Sequence, residues 1–423
     1  MKSTFKKIIV FIIQLEAKIV LKKYKPKIVA ITGSVGKTTA KDAIFTVLSS
    51  AFFVRKSEKS FNSEIGVPLS ILGCPNGGNN IFIWLKNIFE GLALILFKNH
   101  YPKWLVLEVG ADHPNDIEDI AKWLKPDIAV ITRFAEIPVH VEYFDSPDAV
   151  IQEKKKLVRY LKEDGYIILN YDDKDVLKIK EENDQKTITY GLENDEADIW
   201  GSNNQFSYKE GKVTGMVFKA NSKGTSVPVN MTGVIGVQHI YPALAAIAVG
   251  ISQGLNLVSM SQALSEDHLA QPGRMKLIEG IKNSIIIDDS YNSSPLAVEW
   301  ALKMLGEVEA ERKIAVLGDM MELGEYATEE HKKAGKIVAG ICDILLVVGL
   351  RAKDIAEGAH KSGMNKKNIF EFDDSQKAGA FLQNLIKEKD LILVKGSRWA
   401  TRMEFVVEEV MAHPEKADEL LVR

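Results

Sequence analysis

The stretch Ile28–Leu48, IVAITGSVGKTTAKDAIFTVL, constrains this chain more than any other. An apolar run suited to a buried strand meets a glycine turn, and a helical pattern follows from about Lys37. Gly33 and Gly36 let the backbone turn tightly, so that its N–H groups can surround the oxygens of a phosphate. The helix aims the positive end of its dipole at the same point. Lys37 adds a full positive charge, and Thr38 a hydroxyl suited to Mg²⁺. The commoner form of such a loop would carry a glycine at position 31, where Ile31 stands. The loop therefore reads as a shorter variant, T-G-x-x-G-K-T-T, in which Gly33, Ser34, Val35, Gly36, Lys37, Thr38 and Thr39 would hold a nucleotide. An ordinary glycine turn would account for the glycines, but not for Lys-Thr-Thr in register with them.

A strand that feeds a phosphate loop belongs to a parallel sheet covered by helices. The rest of the chain continues that alternation. Strands are expected at 104–109, 127–132 and 165–170, with helices at 37–50, near Pro114 and at 149–162. From about 186 to 235 the texture changes to Gly, Ser, Asn and Thr between alternating apolar residues, which reads as an antiparallel β extension. A helix returns at 239–255. Pro272 and Gly273 in AQPGRM then mark a boundary. Beyond it SIIIDDS, KIAVLGD, DILLVVG, NIFEFDD and LILVKGS read as strands of a second unit. The expected fold is α/β. A P-loop-type central ATPase domain with a mostly parallel sheet spans 27–270, and a C-terminal Rossmann-like α/β domain spans 271–423.

The 423 residues suit two or three domains, and 46% hydrophobic content supplies their cores. A net charge of −3 argues against a general nucleic-acid binder. Cys74 and Cys342 suggest neither a disulfide framework nor a zinc site, and fit a reducing cytoplasm. Residues 1–26 read as an amphipathic helix with Lys6, Lys7, Lys18, Lys22 and Lys23 on its polar side. Its longest uncharged run, Ile8 to Leu15, is too short to span a bilayer, which takes roughly 20 apolar residues. No small-residue cleavage site follows. The helix either packs on its own domain or lies on a membrane surface through residues 1–24. A second apolar segment, Ile81 to Phe97, carries Lys86 and Glu90 and reads as a surface or core helix.

Three polar positions stand out beyond the loop. Glu108 ends the buried strand WLVLEV, where a carboxylate holds Mg²⁺ or simply faces solvent. His140 and Glu142 follow in VHVEYF, and a lone histidine after a strand is more often structural than a ligand. Lys154 to Lys156 read by spacing as a solvated charge run.

Taken together, ITGSVGKTT, FNSEIGVPLSILG, LEVGADHP, HVEYF, PGRM, IIDDSYNSSP, AVLGDMMELG and LVKGSR resemble the Mur ligases from about residue 27 to 411. The resemblance is to the branch that adds D-alanyl-D-alanine to a UDP-N-acetylmuramoyl-tripeptide in peptidoglycan synthesis. It implies an ATP-dependent amide ligase working through an acyl phosphate, with ATP and two Mg²⁺ ions. By this resemblance Lys37 and its loop hold phosphates, and Thr38 and Glu108 bind the first Mg²⁺. His140 binds the second, together with Lys154, which stands where the family has a CO₂-carbamylated lysine. Arg274 comes from the second domain to the γ-phosphate. Asp289 and Asn292 contact the ribose and adenine. Asn62, Lys395, Ser397 and Arg398 line the peptide side, with Asp319, Glu322 and His331 as weaker candidates. A cytoplasmic monomer acting on a muramoyl peptide and D-alanyl-D-alanine, without nucleic acid, completes the expectation.

The sequence departs from the family pattern in three places. About 26 residues stand where Mur ligases place a UDP-gripping domain of about a hundred, so a UDP anchor is expected to be lacking. The adenine-side His-Asn-x-x-Asn element is replaced by Gln238 and His239, with Pro242 at the later Asn. The loop before His140 carries Arg133 and extra residues. The first departure favours a second reading, an amide ligase of the folylpolyglutamate synthase type or one with a lipid-linked acceptor. A non-catalytic nucleotide-binding scaffold is opposed by the complete set Lys37, Thr38, Glu108, His140, Lys154 and Arg274.

Overall fold

The structure is a computed structural model describing residues 3–58, 60–266 and 270–422, with side chains from residue 8 onward. The side chains of Lys6 and Lys7 therefore lie outside the described residues. In chain order the first nine strands are β1 (Lys27–Thr32), β2 (Val54–Lys56), β3 (Trp104–Glu108), β4 (Ile128–Ile131), β5 (Tyr166–Asn170), β6 (Lys186–Gly191), β7 (Ile199–Lys209), β8 (Lys212–Ser222) and β9 (Thr225–Thr232). Among the described residues they form one sheet in the order β2-β3-β1-β4-β5-β6-β7-β8-β9. The sheet is parallel from β2 through β7, and β7, β8 and β9 are antiparallel. The expected antiparallel extension is thus shorter than the change in texture suggested. β6 lies parallel to β5, because the helix Lys174–Glu181 provides the crossover.

Alternate residues of the central strands bury opposite faces, as the strand period requires. Val29, Ile31, Val106 and Val130 pack with Ile44 and Val47 of the helix Lys37–Ser49 and with Leu244 and Ile247 of the helix Val237–Ser252. On the other face Ile28, Ala30, Leu105 and Leu107 pack against Ile13, Leu69, Ile120 and Leu157, contributed by four further helices.

The second sheet contains β10 (Lys276–Glu279), β11 (Ile285–Asp289), β12 (Lys313–Gly318), β13 (Ile344–Val348), β14 (Ile369–Phe372) and β15 (Leu391–Lys395). Its order is β10-β11-β15-β12-β13-β14, parallel except for the edge strand β10. All five expected strands of this unit are present. β10 is an addition that its four residues did not announce.

The helix Ser3–Tyr24 packs on its own unit through Ile9, Ile13, Ala17 and Val20. Glu16 is buried on the same side, where Gly91 leaves room for its carboxylate. Ile8, Phe11, Leu15 and Ile19 face outward. The neighbouring helix Ile81–Leu96 buries Trp84, Asn87 and Gly91 and exposes Phe82, Leu85, Phe89, Leu92 and Leu96. Among the described residues no helix is long and apolar enough to cross a membrane.

Candidate active site

The phosphate loop leaves the C-terminal end of β1, where ligand crevices of parallel sheets form. Its turn depends on two glycines. Gly33 has φ 144°, and a Cβ there would lie 2.0 Å from Thr132 Oγ1. Gly36 has φ 80° and opens the helix Lys37–Ser49. Thr132, at the end of β4, fixes the loop by donating to Val35 O at 2.7 Å, while the Ser34 N–H donates to Arg133 O at 2.7 Å. Lys37 curls over the loop and donates to Gly33 O at 2.8 Å. Burial pulls its ammonium pKa below the ordinary lysine range, against the attraction of Glu108.

Four side chains from separate elements converge beside the loop. Thr38 Oγ1 donates to Glu108 Oε2 at 2.8 Å. Asn62 Nδ2 donates to Glu108 Oε1 at 3.1 Å. Arg274 Nη2, from the segment joining the two sheets, donates to Thr38 Oγ1 at 3.1 Å. Asn62, expected on the peptide side, thus touches the same carboxylate as Thr38. A hydroxyl and a carboxylate are oxygen donors of the kind a hard divalent cation takes. Among the described residues no group of three His, Cys, Asp or Glu side chains is arranged as a complete metal site. An ion beside Thr38 and Glu108 would therefore need phosphate oxygens and water to fill its shell.

Arg274 is itself held in place. Its guanidinium carbon sits 4.3 Å from the centre of the Tyr291 ring, and its carbonyl lies 3.0 Å from His239 Nε2. Burial drops the His239 pKa to about 4, so the ring is neutral near pH 7 and Nε2–H donates. His239, expected at the nucleotide, anchors the backbone of the residue that reaches the phosphate loop.

Lys154 separates from its neighbours. Lys155 lies 3.3 Å from Glu182, and Lys156 lies 2.8 Å from Glu118 and 2.9 Å from Glu153, so both are half-buried and ion-paired rather than a solvated charge run. Lys154 is 3% exposed. Burial, with the nearby charge of Lys37, pushes its pKa down to about 7. Glu153 accepts the N–H groups of Ile117 and Glu118 and so caps the preceding helix, Asp116–Leu124. His140 bridges the two units: Nε2 is 3.4 Å from Asp112 Oδ1 and Nδ1 is 2.9 Å from Glu322 Oε2. The His140 ring holds the Glu322 carboxyl below the ordinary range. Both residues have positive φ, 69° and 62°, strain of the kind that concentrates at functional contacts.

The second unit brings Asp289 and Lys395 together: Lys395 Nζ donates to Asp289 Oδ2 at 2.6 Å and to Asn292 O at 2.9 Å. The residues expected at the ribose and at the peptide thus meet in one buried cluster. The Ser397 N–H donates to Asp319 O at 3.0 Å, and Arg398 Nε lies 3.7 Å from Glu404. Asp319 also accepts the Ala352 N–H. His331 is fully buried, accepts the Met320 N–H at Nε2 and contacts Ala327 O through Nδ1, so its bonds are structural.

A cleft beside Gly36 is lined by Arg133, Gln238, Tyr241, Pro242 and Trp300. The Tyr241 and Trp300 rings are 5.9 Å apart, and Arg133 lies 5.0 Å over Trp300. Both polar atoms of the Gln238 amide are buried without a partner. A flat base carrying donors and acceptors matches this lining. Trp300 belongs to the helix Pro295–Glu307 of the second unit, and nothing local in its sequence marks it.

A phosphate loop in one α/β unit, met by an arginine from the start of the next, defines an enzyme class that closes two domains over a nucleotide. Residues 91–250 match the Mur ligase middle domain, and residues 273–398 match the Mur ligase, glutamate ligase domain. The chain belongs to the Mur ligase family, whose members are ATP-dependent amide ligases. It is similar to the UDP-N-acetylmuramoyl-tripeptide–D-alanyl-D-alanine ligase of Bacillus subtilis, at 28% identity over 94% of this chain and 79% of that one. The ligase of the same name from Escherichia coli is 29% identical over 90% of this chain and 76% of that one. Among solved structures, the MurF ligase of Thermotoga maritima in complex with ADP superposes with a TM-score of 0.77. It is 25% identical, covering 97% of this chain and 84% of that one.

Proposed function

We propose that this enzyme joins D-alanyl-D-alanine to a UDP-N-acetylmuramoyl-tripeptide in the cytoplasm, as a step of peptidoglycan synthesis. The observation that carries the proposal is the Arg274–Thr38 contact, which joins the two units at the phosphate loop. The similarity to enzymes of that name supplies the substrates. A terminal carboxylate oxygen of the tripeptide attacks the γ-phosphorus of ATP, the bond to the β-bridging oxygen breaks, and ADP leaves. The acyl phosphate that results turns a poor leaving group into phosphate. The amine of D-alanyl-D-alanine adds to its carbonyl, a proton is lost, and phosphate departs as the amide forms. Lys37, the loop N–H groups and Arg274 offset the charge that spreads over the transferred phosphoryl.

Thr38 and Glu108 would hold Mg²⁺, which when bound neutralises phosphate charge. Lys154 suits carbamylation. An amine with a pKa of about 7 is about half neutral near pH 7, and its neutral form adds CO₂ with loss of a proton. The carbamate, with His140, would then serve a second ion. The units divide at about residue 270, and the cleft of Tyr241, Trp300 and Gln238 takes the adenine. Residues 1–24 bring the protein to the inner membrane surface.

The test is phosphate release with ATP, Mg²⁺ and both substrates, with product mass read on the same samples. Release that needs both substrates and yields the pentapeptide supports the proposal. ATP binding without turnover overturns the choice of substrates.

A further inference from the structure

Ten of the sixteen large apolar side chains exposed among the described residues lie on two neighbouring helices and on Phe97, just after the second. Soluble proteins usually scatter such residues singly, and a contiguous patch marks a binding face. On Ser3–Tyr24 they are Ile8, Phe11, Leu15 and Ile19, at helical spacing and away from the side buried against the sheet. On Ile81–Leu96 they form a second stripe, in which Phe82, Phe89 and Leu96 are 77%, 68% and 72% exposed. The helices lie side by side. A Cβ on Gly91 would come within 2.2 Å of Glu16 Oε2, and Lys23 Nζ donates to Leu94 O and Ile95 O, each at 2.9 Å. Their outward faces therefore adjoin.

Charge identifies the occupant. The chain carries a net −3, yet residues 1–26 contain seven lysines and a single acid, Glu16, which is buried. Lys86 and Lys98 add to the rim of the second helix, and Glu90 lies 3.6 Å from Lys86. Lysine is depleted where protein surfaces meet. An exposed apolar face on a lysine-rich segment instead matches acyl chains beneath phosphate headgroups.

We propose that Ser3–Tyr24 and Ile81–Leu96 form one platform that seats the enzyme on an anionic phospholipid surface. The proposal deepens the membrane contact given above for residues 1–24, since the second helix inserts alongside the first. It does not depend on the identity of the ligase substrates.

The test is co-sedimentation of the full-length protein, without nucleotide, with phosphatidylcholine vesicles lacking or containing phosphatidylglycerol. Binding is expected with phosphatidylglycerol and is expected to weaken in high salt. The pair Phe82→Ser and Phe89→Ser, and separately Phe11→Ser and Leu15→Ser, should each lower the bound fraction ~10-fold, with unchanged thermal unfolding as the fold control. Loss in the N-terminal pair alone overturns the platform and leaves the single-helix reading. Absence of binding by the unaltered protein overturns both. Equal binding to neutral vesicles overturns the role of the lysines. A dimer dissolved by Phe82→Ser and Phe89→Ser would show that a second copy, not lipid, covers the face.

Discussion

Lys37 and Lys154 are both lysines pulled below their ordinary pKa by burial, yet they are suited to different work. Lys37 keeps hydrogen-bond partners on the loop, where by the proposal it would serve as a cation. Replacing it with alanine is expected to lower kcat/KM by a factor on the order of 10²–10³, read by phosphate release. By the proposal above, Lys154 would add CO₂ only when neutral. Its folded pKa of about 7 lies below the unfolded value of 10.5, so the neutral fraction grows as pH rises through 7. Bicarbonate should therefore restore turnover in CO₂-depleted buffer better at pH 8 than at pH 6. Lys154→Arg should remove that response, because guanidinium stays protonated. Sequence spacing alone could not separate Lys154 from Lys155 and Lys156. Only the packing of the helix Pro147–Arg159 buries the first without an anionic partner among the described residues and leaves the others half-buried beside carboxylates.

The elements most legible in the sequence were those with one strong local signal. The loop glycines, the apolar runs of β1, β3, β4 and β5, and the strands of the second unit all fell close to their expected positions. What escaped was set by distant partners: the parallel placement of β6, the short edge strand β10, and the cleft wall made by Trp300. Two element-scale outcomes follow from burial. Leu244, fully buried between the helix Val237–Ser252 and the sheet, should cost about 2–5 kcal/mol when replaced by alanine, measured by denaturant unfolding. Glu16, buried without hydrogen-bond partners, has its pKa raised from 4.5 to about 7. The folded state then binds more protons than the unfolded state between those values. Stability is greatest below the lower value and falls as pH rises through 7. Glu16→Gln should flatten that fall and raise the melting temperature at pH 8 by about 2–4 °C.

At the scale of the whole molecule, the two units meet through His140–Glu322, Tyr291–Ser60 and Arg274–Thr38. Each contact pairs residues far apart in sequence, so the motifs named the participants without giving their partners. The Glu322 change is the sharpest probe of closure. Glu322→Lys would set two basic groups against each other and is expected to expand the molecule in small-angle scattering while lowering turnover ~10-fold or more. An unchanged scattering profile would show that this pair does not govern closure.

The position of Arg274 has a mechanical consequence. It follows Gly273 at φ 70° and precedes Met275 at φ 51°, in the strip of chain that joins the two sheets. The side chain that touches the phosphate loop thus grows from the pivot itself. A swing of the second unit about that strip would move Arg274 least, and would move the far edge of its sheet, at β14, most. Such a motion would be geared: the contact with the phosphate loop would persist through small rotations, while the distant edge of the unit would sweep a wide arc.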